Sequence, residues 1–103
     1  MRLENINYTK GMRVTFMKKI LMFTMASCPY CRNARKWMEE ILKSDDRYTQ
    51  IPLTIVDENE NPELAAKYDY YYVPTFYIDG KKAHEGPASF ETVKRVFDAA
   101  LKS

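Results

Sequence analysis

The sequence has few of the residues that would crosslink it or anchor it. It contains two cysteines, one histidine and three glycines among 103 residues. Two cysteines with two residues between them cannot form a framework of structural disulfides, so the pair does not indicate secretion. No apolar run approaches the roughly 20 residues that span a bilayer. The net charge of +2 is too small to indicate a nucleic acid or a membrane surface as the partner.

What the sequence does contain indicates one globular domain. Apolar residues make up 46% and aromatic residues 14% of the chain, as in globular proteins. The length fits a single domain with one modest core. Residues 1–17 show no clean hydrophobic period, and we expect an N-terminal extension there, which is poorly ordered, lightly docked or folded into a short extra element. We expect the folded domain over residues 18–103.

The hydrophobic pattern predicts alternating strands and helices. A continuous apolar stretch predicts a buried strand over residues 18–24, and a one-sided apolar stripe predicts a helix over residues 29–43. The later predicted elements are a strand over 51–56, a short helix over 62–68, a hairpin of strands 75–78 and 81–85 turned at Asp79-Gly80, and a last helix capped by Ser89. This β-α-β-α-β-β-α order predicts an α/β fold. Open α/β sheets with right-handed crossovers commonly have their binding and catalytic sites at the carboxyl ends of the strands. The carboxyl end of the first strand is therefore the expected place of the site.

Both cysteines lie at that strand-to-helix junction, in the stretch Ser27-Cys28-Pro29-Tyr30-Cys31. Ser27 is the predicted N-cap of the helix, and Pro29 suits the first turn because its missing N–H costs nothing there. The unpaired N–H groups and the helix dipole favour the thiolate, which is the reactive form of cysteine.

The spacing of Cys28 and Cys31 predicts a redox dithiol. Cys31 lies about one turn beyond Cys28, against the same helix end, so it can attack a disulfide that Cys28 has formed. We therefore interpret Cys28 as the nucleophile and Cys31 as the resolving cysteine. Arg32 and Arg35 are expected to add positive potential near the thiolate.

Two motifs together resemble a known superfamily. Cys28-Pro29-Tyr30-Cys31 resembles the active-site tetrapeptide of dithiol glutaredoxins, and Val73-Pro74-Thr75 resembles the cis-proline segment of thioredoxins and glutaredoxins. In this order, with a hairpin and a helix following, the resemblance covers residues 18–102. It implies the thioredoxin fold, a four-stranded mixed sheet flanked by helices. It also implies a cis Pro74 and a substrate backbone that pairs with Val73.

The resemblance implies a thiol–disulfide oxidoreductase that reduces protein or glutathione mixed disulfides. Tyr70-Tyr71-Tyr72 precedes the proline segment, and tyrosine is favoured at recognition surfaces. At least one of the three is expected to pack inward, because side chains alternate along an extended segment. The candidate substrate-binding residues are Pro29, Tyr30, Tyr72, Val73, Pro74 and Thr75.

No bound cofactor is expected, and glutathione or a thioredoxin-reductase-type protein is the expected electron donor. The chain departs from glutathione-using glutaredoxins at two places. Met25 stands where they carry a lysine, and Gly86-Pro87 stands where they have a Gly-Gly turn followed by an acid. It departs from thioredoxins at Met22, where they carry a buried aspartate. The expected substrates are disulfide-containing or glutathionylated proteins.

Two other functions stay open from the sequence: a redox-sensing or binding module without turnover, and a dithiol that binds a metal or an iron–sulfur cluster. Structural zinc takes four ligands, and the sequence contains only three candidate cysteine and histidine ligands, Cys28, Cys31 and His84. No metal ligand is therefore predicted. Residues 17–28 imitate a short lipoprotein signal, but the apolar part is only about seven residues, and cleavage would remove the first strand. A cytoplasmic monomer without nucleic acid or membrane partners is therefore expected.

Overall fold

A computed structural model describes residues 17–101 of the chain. The predicted extension over residues 1–17 lies, apart from Met17, outside the described residues. The elements in chain order are β1 (Ile20–Thr24), α1 (Pro29–Ser44), a 3₁₀ helix (Asp46–Gln50), β2 (Leu53–Asp57), α2 (Pro62–Ala65), β3 (Thr75–Ile78), β4 (Lys81–Glu85) and α3 (Phe90–Leu101). The predicted order is confirmed, with the 3₁₀ helix as an addition.

The four strands form one mixed sheet in the order β2-β1-β3-β4. β1 runs parallel to β2 and antiparallel to β3, and β3 pairs antiparallel with β4. The parallel pair requires a crossover, which α1 supplies. The predicted four-stranded mixed sheet flanked by helices is confirmed. The carboxyl end of the central strand β1 therefore leads directly into α1.

The larger hydrophobic cluster lies between the sheet and the helices α1 and α3, and we call it the first cluster. Each of these helices carries one apolar stripe, and no helix within residues 17–101 is long and apolar enough to cross a membrane. Phe97 and Val93 of α3 are fully buried. The buried members of this cluster are Ile20, Met22, Ala34, Met38, Ile41, Tyr48, Ile51, Phe76, Val93, Val96, Phe97 and Ala100.

A smaller hydrophobic cluster, the second cluster, covers the opposite face of the sheet. Side chains alternate along a strand, so Met22 joins the first cluster and Phe23 joins the second. The Phe23 ring stacks on Tyr70 at a centroid distance of 4.8 Å and contacts Tyr68 at 5.0 Å. Val56 and Tyr77 are its other buried members. Four aromatic rings thus pack on this face.

Three predicted boundaries are wrong for local reasons. β1 begins at Ile20 rather than at residue 18, because the N–H groups of Lys18 and Lys19 donate to Ala100 and Asp79 instead of to a neighbouring strand. β2 begins at Leu53 rather than at residue 51, because the Ile51 N–H closes the 3₁₀ helix onto the Tyr48 carbonyl. Pro52, which follows, has no N–H to give to a ladder. The helix α2 ends at Ala65 rather than at residue 68, since the chain continues there in tighter three-residue turns.

Candidate active site

Cys28 forms the N-cap of α1. Its backbone is extended, and its Sγ accepts a hydrogen bond from the Cys31 N–H at 3.3 Å. The prediction that Ser27 caps this helix is wrong, since the cap lies one residue later and Pro29 is the first helical residue. The sulfur therefore sits directly at the unpaired N–H groups of the helix.

The two cysteines, both free thiols, differ in access. Cys28 is half-buried, whereas Cys31 has no exposed surface. Burial raises the pKa of the Cys31 thiol, and the neighbouring Cys28 raises it as well. Hydrogen bonds from the Thr24 side chain and the Met25 backbone act in the opposite direction and lower this pKa. Cys28 is thus the accessible sulfur of the pair.

The segment around Pro74 lies against the dithiol. The Val73–Pro74 bond is cis, as the resemblance implies. The Val73 carbonyl oxygen lies 3.8 Å from Cys28 Sγ, across 45 residues of sequence. Pro74 and Thr75 are buried, and the Thr75 hydroxyl donates to the Tyr72 carbonyl. The fold therefore brings the predicted proline segment to the predicted nucleophile.

The tyrosines before this segment divide between interior and surface. Tyr70 packs on Phe23, and its hydroxyl donates to Glu58 Oε1 at 2.7 Å. Tyr71 and Tyr72 are 85% and 69% exposed. The prediction that at least one of the three packs inward is confirmed. Tyr30, which lies between the two cysteines in the sequence, is also exposed.

Glu85, which the sequence analysis did not single out, holds the tyrosine segment. Its carboxylate accepts hydrogen bonds from the backbone N–H groups of Tyr71 and Tyr72, the latter at 2.9 Å, and from Lys82 Nζ at 2.7 Å. The Lys82 ammonium, followed by these N–H groups, lowers the pKa of Glu85 to about 2. No sequence signal marks this residue, because it ends an ordinary exposed hairpin strand.

The turn before Cys28 is held from the neighbouring strand. Asp57, at the end of β2, accepts from the Ala26 N–H at 3.1 Å, and the Thr24 carbonyl accepts from the Glu58 N–H at 2.9 Å. Asp57 was also missed, although a polar residue ending a strand beside the first one was a usable signal.

The two arginines of the first turns of α1 differ in their exposure and in their hydrogen-bond partners. Arg32 is exposed, whereas Arg35 Nη1 donates to the hydroxyl of Thr24 at 3.1 Å. Thr24 is 4% exposed. Arg35 thus reaches a buried hydroxyl at the end of β1.

His84, the third residue weighed as a metal ligand, lies on β4. Its Nε2 is 3.0 Å from the Pro87 carbonyl oxygen. Within residues 17–101, no group of three or more histidine, cysteine, aspartate or glutamate side chains is placed to hold a metal ion.

Comparison with known proteins places this chain. Residues 17–98 match the model of the thioredoxin domain family. The thioredoxin of Methanocaldococcus jannaschii is 32% identical over 62 residues, which is 60% of this chain and 71% of that protein. Thioredoxin O1 of Arabidopsis thaliana superposes with a TM-score of 0.66 at 24% identity, over 84% of this chain and 80% of that one. Fasciola hepatica thioredoxin superposes with a TM-score of 0.64 at 24% identity, over 84% and 83%. The chain belongs to the thioredoxin domain family, whose thioredoxins are thiol–disulfide oxidoreductases.

Proposed function

We propose that this chain reduces protein disulfides, with Cys28 as nucleophile and Cys31 as resolving cysteine. The observation that carries the proposal is an accessible Sγ at a helix N-cap directly beside a fully buried thiol. Cys28 attacks one sulfur of the substrate, the substrate disulfide breaks, and one thiolate leaves. Cys31 then attacks Cys28, the reduced substrate leaves, and the Cys28–Cys31 disulfide holds the oxidised state.

The burial of the two sulfurs supports this order of attack. A substrate disulfide reaches the half-buried Cys28 without displacing the core, whereas Cys31 has no exposed surface. The Cys31 N–H, 3.3 Å from Cys28 Sγ, holds that sulfur in one orientation at the surface. The second attack needs no substrate access, since the two cysteines lie one helical turn apart.

The surface around Cys28 favours a protein as substrate. The Val73 carbonyl lies beside the nucleophile, where an extended substrate backbone would pair with the chain. Tyr71 and Tyr72 are largely exposed and offer contact area at small entropic cost. Met25 brings no positive charge for the carboxylates of glutathione. Pro29, Pro74 and Thr75 shape the floor of this surface in the proposal, and glutathionylated proteins are the second substrate class.

The dithiol carries the two electrons, so the proposal needs an electron donor and no bound cofactor. A thioredoxin-reductase-type protein or glutathione is the proposed electron donor. A cytoplasmic location and a monomeric state stay predictions.

Insulin reduction coupled to thioredoxin reductase and NADPH, run beside glutathione-coupled reduction of a glutathionylated peptide, tests the proposal. We expect turnover of insulin, complete loss with Cys28→Ser, and accumulation of a mixed disulfide with Cys31→Ser. Activity in the glutathione system alone would identify glutathione as donor. No turnover in either system, with both thiols titratable, would contradict the proposal and favour the redox-sensing or binding module.

A further inference from the structure

The sheet ends in two edge strands, β2 and β4, that differ in how well they are protected. β4 carries two lysines, a histidine and a glutamate, and its pairing with β3 shifts register between Phe76 and Tyr77. Charged side chains and bulges are the features that keep an edge strand from pairing with another chain. Residues 53–56 of β2 carry no charge, and their pairing with β1 has no register shift. The unprotected edge of the sheet is therefore β2.

Every second residue of β2 directs its backbone N–H and C=O away from the sheet. The Pro52 carbonyl accepts from the Ile20 N–H at 2.9 Å, and the same distance joins the Glu58 N–H to the Thr24 carbonyl. Residues 52 and 58 therefore face β1. Backbone groups alternate along a strand, so residues 54 and 56 also face β1, whereas residues 53, 55 and 57 face outward. Within residues 17–101, no strand pairs with this outer side of β2.

The side chains of this edge are uncharged, and two of them lie in solvent. Ile55 is 44% exposed, whereas Leu53, on the same face of the strand, packs partly on the first cluster. Thr54, on the opposite face, is also exposed. Threonine and isoleucine are β-branched and pack well against the side chains of a neighbouring strand. Both the backbone and the side chains of β2 are thus suited to pairing with a further strand.

We propose that β2 pairs antiparallel with β2 of a second copy of this chain, about a two-fold axis at Ile55. Such an axis brings the same residues together from both sides, so one strand supplies both halves of the contact. Ile55 of each copy exchanges N–H and C=O with Ile55 of the other, and the Asp57 N–H donates to the Leu53 carbonyl of the other copy. The Asp57 carbonyl already accepts from Glu60 and Asn61, so the ladder ends there. The inference goes beyond the proposed function and does not depend on it.

The charges at the two ends of β2 favour a second copy in this orientation. Residues 57–63, which follow the strand, contain four carboxylate side chains and no basic one. Lys18 and Lys19, both exposed, precede β1, whose Ile20 lies beside Leu53 at the start of β2. In an antiparallel pair, the acidic loop of each copy lies at the end where the other copy has these lysines. Opposite charges therefore meet, whereas a parallel pair would bring like charges together.

The length of β2 limits the strength of the association. The strand has five residues. Pairing over this length buries less than the roughly 1,200 Å² of a stable interface, so the contact is weak and reversible. We expect a dissociation constant on the order of 0.1–1 mM. The monomeric state that the sequence led us to expect then applies to dilute solution.

NMR spectroscopy of the full chain with its dithiol reduced tests the pairing at about 20 µM and about 1 mM. The amide protons of Leu53 and Ile55 should exchange with solvent about two- to fourfold more slowly at the higher concentration, as mass action requires for this affinity. The register is tested in a mixture of labelled and unlabelled protein. Thr54 of one copy lies opposite Val56 of the other, so an isotope-filtered NOE should join their Hα protons.

Variants of the two edges separate this contact from other associations. Ile55→Lys places two like charges opposite each other at the axis and should weaken the association about tenfold, as measured by sedimentation equilibrium. Ala83→Lys adds the same charge at an exposed position of β4 and should leave the association unchanged. Ile55→Thr keeps the β-branch, should weaken the association about threefold, and serves if Ile55→Lys does not fold.

Two sets of results would overturn the inference. Equal exchange of the Leu53 and Ile55 amides at both concentrations would do so: slow exchange at both would show that another segment of the same chain covers the edge, and fast exchange at both that the edge stays open. An association that Ile55→Lys leaves unchanged, or that lacks the NOE between Thr54 and Val56, would place the contact elsewhere. Insulin reduction at micromolar concentration, where the chain is monomeric, tests the proposed function separately.

Discussion

The two faces of the sheet are held in different ways. The first cluster, under α1 and α3, is apolar apart from the Tyr48 hydroxyl, and two helices with one apolar stripe each cover it. The second cluster is smaller, and two of its four aromatic rings carry hydroxyls that donate to a fixed partner. Tyr70 donates to Glu58, and Tyr77 donates to the Asp69 carbonyl at 2.7 Å. Tyr70 and Val73, at the two ends of the segment that carries the exposed tyrosines, pack in this second cluster.

This difference indicates which face of the sheet contributes most of the stability and which face fixes the geometry of the site. Burial of apolar area stabilises without direction, at roughly 25 cal/mol per Å². Hydrogen bonds contribute less on balance but define distances and angles. Substitutions in the first cluster should therefore lower stability and spare the chemistry. Substitutions among the polar contacts of the second face should move the site more than they lower stability.

Phe97→Ala in the first cluster should have the largest effect. The ring is fully buried, so its removal leaves a cavity and should lower the free energy of unfolding by about 3–5 kcal/mol. Urea unfolding followed by far-UV circular dichroism measures the change. Phe90→Ala, at the partly buried start of the same helix, is the control and should cost less than half as much. A loss below about 1 kcal/mol for Phe97→Ala would contradict a large contribution of this face to the free energy of unfolding.

Glu85→Gln should have the next largest effect, on activity rather than on folding. A neutral amide loses the ion pair with Lys82 and weakens both bonds to the tyrosine backbone. We expect kcat/KM for a protein disulfide to fall about tenfold, mostly through KM, since these charge-assisted bonds place the segment. Lys82→Gln is the matched control, because it keeps the carboxylate on the two N–H groups. Equal kcat/KM for Glu85→Gln and the wild type would exclude this role.

The contact between Glu85 and the backbone of Tyr71 and Tyr72 also predicts that the folded state loses stability in acid. The pKa of Glu85 in the folded chain is about 2, below the ordinary value of 4.5. The contact therefore stabilises the folded state above pH 4.5, and this contribution disappears as the pH falls toward 2. The amide resonances of Tyr71 and Tyr72 should titrate with a midpoint near 2. Titration of both amides near pH 4.5 would show that the carboxylate does not hold them.

Tyr70→Phe should have a smaller effect, of about 1 kcal/mol on unfolding, because it removes one hydrogen bond and keeps the ring on Phe23. Burial, and then Glu58, raises the pKa of this hydroxyl, so it stays protonated as a donor through neutral pH. Urea unfolding at pH 7 measures the loss. The exposed neighbour offers the control, since Tyr71→Phe should leave the midpoint unchanged. Equal midpoints for both variants would argue against the Glu58 contact.

Lys94→Met on the first face should have the smallest effect. Its Nζ lies 3.0 Å from Asp98 Oδ2 in an exposed pair one turn apart on α3. Exposed pairs contribute little, because the charges stay hydrated and the side chains lose entropy. We expect the same urea midpoint as the wild type. Asp98→Asn is the comparison, since Asp98 also accepts from the Tyr48 hydroxyl, and it should destabilise more. A larger loss for Lys94→Met than for Asp98→Asn would show that the exposed ion pair contributes more to this face than the Tyr48 contact does.

The sequence predicted those parts of the molecule that depend on near neighbours. The stripes of α1 and α3, the Asp79-Gly80 turn and the dithiol at the strand-to-helix junction all follow from residues within a few positions of one another. The cis proline segment followed from a motif. The cap on α1 was misplaced by one residue, because Ser27 and Cys28 both have side chains that accept hydrogen bonds and only the backbone decides between them.

The sequence by itself determined the order of elements, the apolar faces and the place of the two cysteines at a strand-to-helix junction. Tertiary structure decided which side chains hold the segments around these cysteines. Glu85 meets Tyr71 and Tyr72 only because β4 pairs beside β3, and Asp57 meets Ala26 only because β2 lies parallel to β1. Such contacts depend on strand register and loop path, which are set by the packing of the whole chain, so no local pattern of residues encodes them.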